Sequence, residues 1–180
     1  MKAARLWLYR WLSALIPETS CFGLKASLLR WCGAKVGRNV RIGSSARFLG
    51  TGALEIGDDV WIGADCFISP IAPAAIAIGS NCDVGPEVMI ITGSHEIDPQ
   101  GDHVAGKGTA ASVAIGSGCW LGARTTMLPG VSLAEKTVTA AGAVVTKSCD
   151  KPNVLLAGVP ASVKKEIMGK GSGPMPKGML

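Results

Sequence analysis

The sequence of 180 residues predicts an all-β solenoid with a short helical cap at its N-terminus. From Val36 onward, an aliphatic residue recurs at every sixth position over long stretches and is usually followed by glycine. The composition agrees with this period, since 48% of the residues are hydrophobic, only 5% are aromatic and 24 are glycine. Small and β-branched residues therefore have to form the core, which favours a thin, regular β architecture.

Residues 1–34 are rich in Leu, Trp, Arg and Lys, and we expect them to form the helical cap. Leu6 to Leu15 fits a short amphipathic helix, and Phe22 to Trp31 fits a second one. The uncharged stretch 11–17 is far shorter than the roughly 20 residues that span a bilayer, and Arg10 interrupts any signal-peptide core. A solenoid needs a cap over its open end. A compatible alternative is that this Trp- and Arg-rich segment contacts a membrane surface.

The six-residue period covers residues 35–165 and predicts a stack of triangular coils, three hexads to a coil. A helical period of 3.6 would not keep these aliphatic residues on one side. We expect the aliphatic residue to point inward, the fifth residue to pack beside the corner, and the glycine to form the tight turn. The units are Val36-Gly37, Ile42-Gly43, Ile56-Gly57, Ile62-Gly63, Ile68-Ser69, Ile78-Gly79, Val84-Gly85 and Ile90, then Ile115-Gly116, Leu121-Gly122, Met127-Leu128, Leu133-Ala134, Thr139-Ala140 and Val145-Thr146.

Charge and cysteine content exclude several classes of protein. The net charge is +5, but no run of five basic residues occurs, so we do not expect nucleic-acid binding. The six cysteines are scattered, with no C-x-x-C and no spacing that suits zinc. We expect them to be reduced, small apolar residues of a cytoplasmic protein. The tail 166–180 is rich in Gly, Pro and Lys, cannot bury a core and is expected to be flexible.

One short segment indicates chemistry rather than scaffold. His95, one of two histidines, lies where the repeat breaks off and a polar loop from Glu96 to Ser112 begins. Histidine suits the removal of a proton from an attacking hydroxyl group, because its ordinary pKa is near neutral. On these grounds alone, a single histidine is more often structural or merely exposed. His103, in the middle of the loop, is expected to face solvent or to line the substrate site.

Several motifs resemble the hexapeptide-repeat acyltransferases, whose fold is a left-handed parallel β-helix. The resemblance covers residues 36–165 and is carried by segments 115–123, 128–131, 140–147 and 156–161. Together with Thr92-Gly93-Ser94-His95, these segments look most like the sugar O-acetyltransferases of the maltose/galactoside and colanic-acid type.

The resemblance implies that acetyl-CoA is the acetyl donor and that it binds in the groove between adjacent β-helices of a homotrimer. The positions that match the CoA contacts of the family are Trp120, Ala123, Ala141, Thr146, Lys147 and Lys165. At Ser162, the galactoside-type enzymes have an arginine, so the contact to the CoA phosphates differs here.

The resemblance also makes His95 the catalytic base. An asparagine of the galactoside-type enzymes, which helps to hold the acceptor or the catalytic geometry, falls on Asp65. A carboxylate at that place could orient an imidazole or accept a hydrogen bond from a sugar hydroxyl. Glu96 and Asp98 are rival partners for His95, because an ionised neighbour would stabilise the imidazolium.

The function implied by the resemblance is CoA-dependent acetylation of a hydroxyl on a sugar or polysaccharide intermediate. His95 would take the proton while the hydroxyl attacks the thioester directly. Alternatives are N-acetylation of an amino-sugar or xenobiotic, and a non-catalytic scaffold. A metal enzyme like the γ-type carbonic anhydrases would need three histidines, and the chain has two. We therefore expect no metal site. Residues 1–34 leave open a peripheral contact with the inner face of the membrane.

Overall fold

A computed structural model describes residues 1–167 and shows a parallel β-helix with two helices at its N-terminus. The predicted flexible tail 166–180 lies outside these residues from position 168 onward. The elements, in chain order, are α1 (Ala3–Ala14), α2 (Phe22–Trp31), β1 (Lys35–Val36), β2 (Arg41–Ile42), β3 (Arg47–Phe48), β4 (Ala53–Ile56), β5 (Trp61–Ile62), β6 (Phe67–Ser69), β7 (Ala75–Ile78), β8 (Asp83–Val84), β9 (Met89–Ile91), β10 (Gly93–Ile97), β11 (Ala105–Ala110), β12 (Val113–Ile115), β13 (Trp120–Leu121), β14 (Thr126–Met127), β15 (Ser132–Leu133), β16 (Val138–Thr139), β17 (Val144–Val145), β18 (Val154–Ala157) and β19 (Ser162–Glu166).

The short strands stack into three faces, as the period predicts. Face A contains β1, β4, β7, β12 and β15; face B contains β2, β5, β8, β13, β16 and β18; and face C contains β3, β6, β9, β14 and β17. Within these faces each strand pairs in parallel with the strand one coil away. The chain passes from A to B to C and back to A, which gives each coil three edges, here called A–B, B–C and C–A. The predicted β-helix is confirmed.

The inward positions are those that the repeat indicates. Their side chains form one continuous core and are almost fully buried at Ile42, Ile56, Ile62, Ile68, Ile78, Val84, Ile90, Ile115, Leu121, Met127, Leu133, Thr139 and Val145. Fifth-position residues, among them Cys66, Cys82 and Cys119, are also buried. All six cysteines are free thiols. Cys32 is buried as well, whereas Cys21 is exposed and Cys149 is half-buried, so the expected apolar surroundings are found for four of the six cysteines.

The glycine after each aliphatic residue has a different role from the predicted one. A Cβ built on Gly57 would lie 2.6 Å from the main-chain nitrogen of Ser80 in the next coil. These glycines therefore allow neighbouring coils to approach each other closely. The left-handed backbone of the turn lies two residues further on, with positive φ at Asn39, Asp59, Asp65, Asn81, Glu87, Arg124 and Lys136 and at Gly118, Gly130 and Gly142. The assignment of the turn to the first glycine is wrong.

The helical cap predicted for the N-terminus is confirmed, and it shares the core of the solenoid. Leu6 and Tyr9 of α1, together with Leu29 of α2, belong to the same buried cluster as the coils. The Tyr9 ring packs edge-on against Phe48 of β3, with centroids 5.6 Å apart. Neither helix within residues 1–167 has the length and apolar character needed to cross a membrane.

The far end of the stack closes differently. Strand β19 runs antiparallel to β18 and becomes the last strand of face B. The turn between the two strands is also hydrogen-bonded to β17 of face C. The amide of Val144 donates to the carbonyl of Gly158 (3.1 Å), and the amide of Ala161 donates to the carbonyl of Val144 (2.8 Å). A hairpin thus covers the final coil.

The polar loop predicted from Glu96 to Ser112 is instead an antiparallel β-hairpin. Strand β10 pairs with β11, and residues 98–104 form the tip. At its base, the amide of Ala111 donates to the carbonyl of Thr92 (2.9 Å), so the hairpin leaves and rejoins the C–A edge at one point. The loop prediction was wrong because both strands are polar and exposed and carry no alternating apolar pattern.

Candidate active site

His95 lies on β10, where the hairpin leaves the C–A edge. Its Nδ1 is 2.9 Å from the carbonyl oxygen of Gly106 on β11. A carbonyl oxygen only accepts hydrogen bonds, so Nδ1 is the donor, and in the neutral ring Nε2 then keeps its lone pair. This contact fixes the ring and its tautomer, and an imidazole in that state can accept a proton.

The imidazole borders an open pocket of about 460 Å³ on the C–A edge. The pocket walls are residues 71–73, 93–95 and 108–110, so both hairpin strands and an insertion from the preceding coil contribute. The insertion is attached to the hairpin, because the amide of Ile71 donates to Oγ1 of Thr92 (2.7 Å). Thr92 is completely buried. A rigid support thus holds the His95 imidazole beside a space of a size that suits a small molecule.

The three carboxylates proposed as partners of His95 have separate surroundings. Oδ1 of Asp98 accepts hydrogen bonds from the amides of Gln100 (3.1 Å) and Gly101 (3.0 Å), which stabilises the hairpin tip. Glu96 is exposed beside a bulge in the hairpin. Nδ1 of His95 instead contacts a main-chain carbonyl, which no side-chain pattern in the sequence could have indicated.

Asp65 lies at a different edge of the coil. It is exposed at the B–C edge with φ 55°, and its amide donates to Oγ of Ser45 (2.8 Å). It borders a separate pocket of about 370 Å³ with Arg47, Phe67, Glu87 and Met89. Within one chain, face C therefore separates Asp65 from His95.

The positions matched to CoA contacts also divide between two edges. Ala123 and Ala141 stack at the B–C edge, where the amide of Gly142 donates to the carbonyl of Ala123 (2.8 Å). Thr146 and Lys147 follow β17 at the C–A edge, the edge that carries His95, and both are exposed.

Trp120 and Lys165 lie away from these two edges. Trp120 is outward on face B, half-buried and paired with Asp83 in the strand of the preceding coil. Lys165 is exposed on β19 and pairs with Leu155. His103 is exposed at the hairpin tip. Residues 1–167 contain no group of three His, Cys, Asp or Glu side chains placed to share a metal ion.

The thiol next to Asp65 is not a nucleophile at neutral pH. Burial raises the pKa of Cys66 to about 11, so the thiol stays protonated. Its Sγ also lies 3.1 Å from the carbonyl oxygen of Gly85, to which it donates.

Comparisons with known proteins agree with this architecture. A family model described as the hexapeptide repeat of succinyl-transferase matches residues 54–90 and 112–147. The putative colanic acid biosynthesis acetyltransferase WcaF of Escherichia coli K12 is 34% identical over 161 residues, which are 88% of this chain and 76% of that protein. The galactoside O-acetyltransferase of the same organism is 29% identical over 147 residues, 79% of this chain and 68% of the relative.

Solved structures show the same fold. A maltose O-acetyltransferase from Clostridium difficile 630 superposes with a TM-score of 0.75 at 24% identity, covering 93% of this chain and 87% of that one. A hexapeptide-repeat acetyltransferase from Vibrio cholerae, complexed with acetyl coenzyme A, also gives 0.75, at 21% identity, covering 92% and 86%. Because the similarity to the colanic-acid enzyme extends over most of both chains, this protein belongs to the hexapeptide-repeat acetyltransferases.

Proposed function

We propose that this acetyltransferase transfers the acetyl group of acetyl-CoA to a hydroxyl of a sugar or glycan intermediate, with His95 as the general base. The observation that carries the proposal is the hydrogen bond from Nδ1 of His95 to Gly106, which leaves Nε2 free beside a pocket. Relatives named for galactoside, maltose and colanic acid support a sugar-type acceptor. Neighbours of the same fold with acetyl-CoA or CoA bound support the donor.

The chemistry follows from the state of the ring. Nε2 takes the proton of the acceptor hydroxyl as its oxygen attacks the thioester carbon. The new C–O bond forms and the C–S bond breaks, and the imidazolium returns the proton to the departing CoA sulfur. While the ring is charged, the Nδ1–H bond to the Gly106 carbonyl is charge-assisted and therefore stronger. The hairpin thus stabilises the group that charges during the reaction.

The two histidines provide a matched test of this role. We expect His95→Ala to lower kcat by about 10²–10⁴, the usual contribution of a general base. His103→Ala, at the exposed hairpin tip, should change kcat by less than about threefold. Acetyl transfer to galactosides and maltose, measured by release of the CoA thiol, gives both values. Near-normal turnover by folded His95→Ala would exclude His95 as the base.

The class of acceptor is tested in the same assay. Hydroxyl acceptors should react and the matching amino-sugars should react more slowly, whereas a preference for amines would favour the N-acetylation alternative. A non-catalytic scaffold would show no transfer to either class and no stabilisation by CoA on heating.

We further infer that the protein acts as a homotrimer with sites shared between copies. The proposed site residues lie on two edges of one prism, Asp65, Ala123 and Ala141 on B–C, and His95, Thr146 and Lys147 on C–A. Threefold packing of β-helices could set the B–C edge of one copy against the C–A edge of the next. Since Gly106 already occupies Nδ1, the role left for Asp65 is to accept hydrogen bonds from acceptor hydroxyls.

Mixed assembly tests the shared site. His95→Ala and Ala141→Trp are each expected to be inactive alone, the first without its base and the second with its CoA groove filled. Co-refolded in equal amounts, they should regain about a quarter of wild-type activity. Each site needs an unmodified B–C edge from one copy and an unmodified C–A edge from the next, and each of these is present in about half of the copies. Light scattering should give three times the chain mass. A monomer, or no recovery of activity in the mixture, would contradict the trimer.

A further inference from the structure

The outward face of α1 is more apolar than the face that packs on the solenoid. Leu6, Tyr9 and Ser13 are buried against the coils. The opposite stripe contains Trp7 (65% exposed), Trp11 (59%) and, at the C-cap, Leu15 (83%). Helical residues three and four apart share a face, so these side chains form one surface with Leu8 and Leu12. A cap helix that faced only water would show the reverse pattern.

This apolar stripe, here called the α1 face, has a basic border. Residues 1–17 include Lys2 and Arg10, together with Arg5, whose guanidinium donates to the carbonyl of Trp31 in α2 (2.7 Å), and they include no Asp or Glu. The first carboxylate, Glu18, is held by the solenoid, since Oε1 accepts from Oγ of Ser45 (2.9 Å) and Oε2 from its amide (3.1 Å). Tryptophan and leucine flanked by arginine are typical of helices that lie in the headgroup region of a membrane.

A groove runs alongside the α1 face. It has a volume of about 300 Å³, and its walls are Leu6, Trp7, Phe48, Leu49 and Phe67, with Arg10 and Arg47 also lining it. The guanidinium of Arg47 lies 5.4 Å from the centroid of the Phe67 ring. A planar guanidinium suits phosphate oxygens, and an apolar slot suits an acyl chain. The groove therefore offers an apolar surface to the acyl chain of a phospholipid and guanidinium groups to its phosphate.

We propose that the α1 face docks this protein on the surface of an anionic phospholipid bilayer. Trp7, Trp11 and Leu15 enter the boundary between headgroups and acyl chains, while Arg10 and Arg47 contact lipid phosphates. A second copy fits this face less well, since twofold pairing would bring its basic border against itself with no carboxylate between. The proposal does not rest on His95, although Arg47 also borders the pocket of Asp65.

Co-sedimentation of the full chain with vesicles tests the proposal. The protein should pellet with phosphatidylcholine vesicles that contain about a third phosphatidylglycerol, and much less with phosphatidylcholine alone. Raising the salt to about 0.5 M should weaken binding, because the charge contribution is screened. Arg10→Glu should lower the partition coefficient about thirtyfold, since each charge near an anionic surface contributes about fivefold. Trp7→Gln with Trp11→Gln should lower it more than about tenfold.

Ile97→Gln is the matched control. Ile97 is 83% exposed, like Leu15, but lies on the β10–β11 hairpin, so its loss should leave sedimentation unchanged. All substituted side chains are exposed, and unchanged thermal unfolding confirms that the variants fold. Equal sedimentation of the wild-type protein with vesicles that contain phosphatidylglycerol and with vesicles that lack it would overturn the proposal. So would light scattering in which the double Trp variant, without vesicles, halves the mass of the assembly, because the α1 face would then join two copies.

Discussion

Glycine in this repeat sets the distance between coils. A Cβ at Gly79 would lie 2.6 Å from the main-chain nitrogen of Ser117, and one at Gly116 would lie 2.6 Å from that of Glu135. Both contacts are to backbone, which cannot swing away as a side chain can. The coils therefore stack at a spacing that no larger residue permits at these corners.

Two glycine-to-alanine substitutions should accordingly change the free energy of unfolding in opposite directions. We expect Gly79→Ala to destabilise the protein by about 1–3 kcal/mol, because the added methyl forces the coils apart. In contrast, Gly23→Ala in α2, where nothing lies within 4 Å of the new Cβ, should stabilise it by about 0.5–1 kcal/mol. Urea unfolding at one protein concentration measures both. Equal effects would show that packing between coils is not the cause.

A corner ion pair predicts part of the acid sensitivity. The amide of Arg38 (2.7 Å) and then its guanidinium (3.0 and 2.7 Å) donate to the Asp58 carboxylate and lower the pKa of Asp58. A carboxylate whose folded pKa is depressed stabilises the fold above its ordinary pKa and loses this contribution as the pH falls through the folded value. Asp58→Asn should therefore lose less thermal stability than wild type between about pH 5 and about pH 2. Asp102→Asn, at the exposed hairpin tip, should follow the wild-type profile.

Single residues also show how far the site could be predicted from sequence. His95 stood out as a rare residue at a break in the period, and the structure places it beside a pocket. Its Nδ1 contact, the Gly106 carbonyl, belongs to the main chain and has no side-chain signature. The carboxylate of Asp98 looked like a partner because it is close in sequence, but the turn amides of the hairpin tip use it.

At the scale of elements, the period predicted the inward strands because every sixth side chain must fill the same axis. It could not predict β10 and β11, whose exposed residues pair through the backbone alone. The hairpin holds both His95 and the carbonyl that orients it, so its two strands and its tip have separate roles. The strands position His95, and the tip lies beyond the closing hydrogen bond from the Asp98 amide to the Val104 carbonyl (2.9 Å).

Shortening the tip should separate these roles. We expect replacement of residues 99–103 by Asn-Gly, which favours a two-residue hairpin turn, to change Tm by less than about 2 °C. The KM for the acceptor should rise while kcat falls less than about tenfold, because His95 and Gly106 stay in place. A fall in kcat as large as that of His95→Ala would mean that the tip is needed to orient the base.

For the whole molecule, cap and coils share one core, which runs from Leu6 to Leu156 without interruption. Arg30 strengthens this junction, since its guanidinium donates to the carbonyls of Val36 (2.8 Å) and Gly37 (2.6 Å). The sequence separated residues 1–34 from the coils because composition and period change there. Packing does not follow that change, so we propose that the two segments unfold together.

Two leucines of α2 test this coupling. Leu29→Ala, at a fully buried position, should cost about 2–5 kcal/mol of the free energy of unfolding of the entire chain. Leu24→Ala, at a position 53% exposed, should change it by less than about 0.5 kcal/mol. Circular dichroism of the strands, followed in urea, reports the coils directly. Loss of helix without loss of strand in Leu29→Ala would show that the cap unfolds independently.

The covered ends of the β-helix also determine where further coils can be added to it. A bare coil offers unpaired strand edges to any other bare coil, and stacked end to end these molecules would form a filament. The two helices cover the coil at one end, and at the other end β19 runs antiparallel to β18, so it does not offer the parallel edge that a further coil needs. Lengthening is therefore confined to the interior, where a duplicated block of three hexads would slot between existing coils without shifting the alignment of its neighbours. A longer relative is therefore expected to differ by whole coils inserted between its two covered ends.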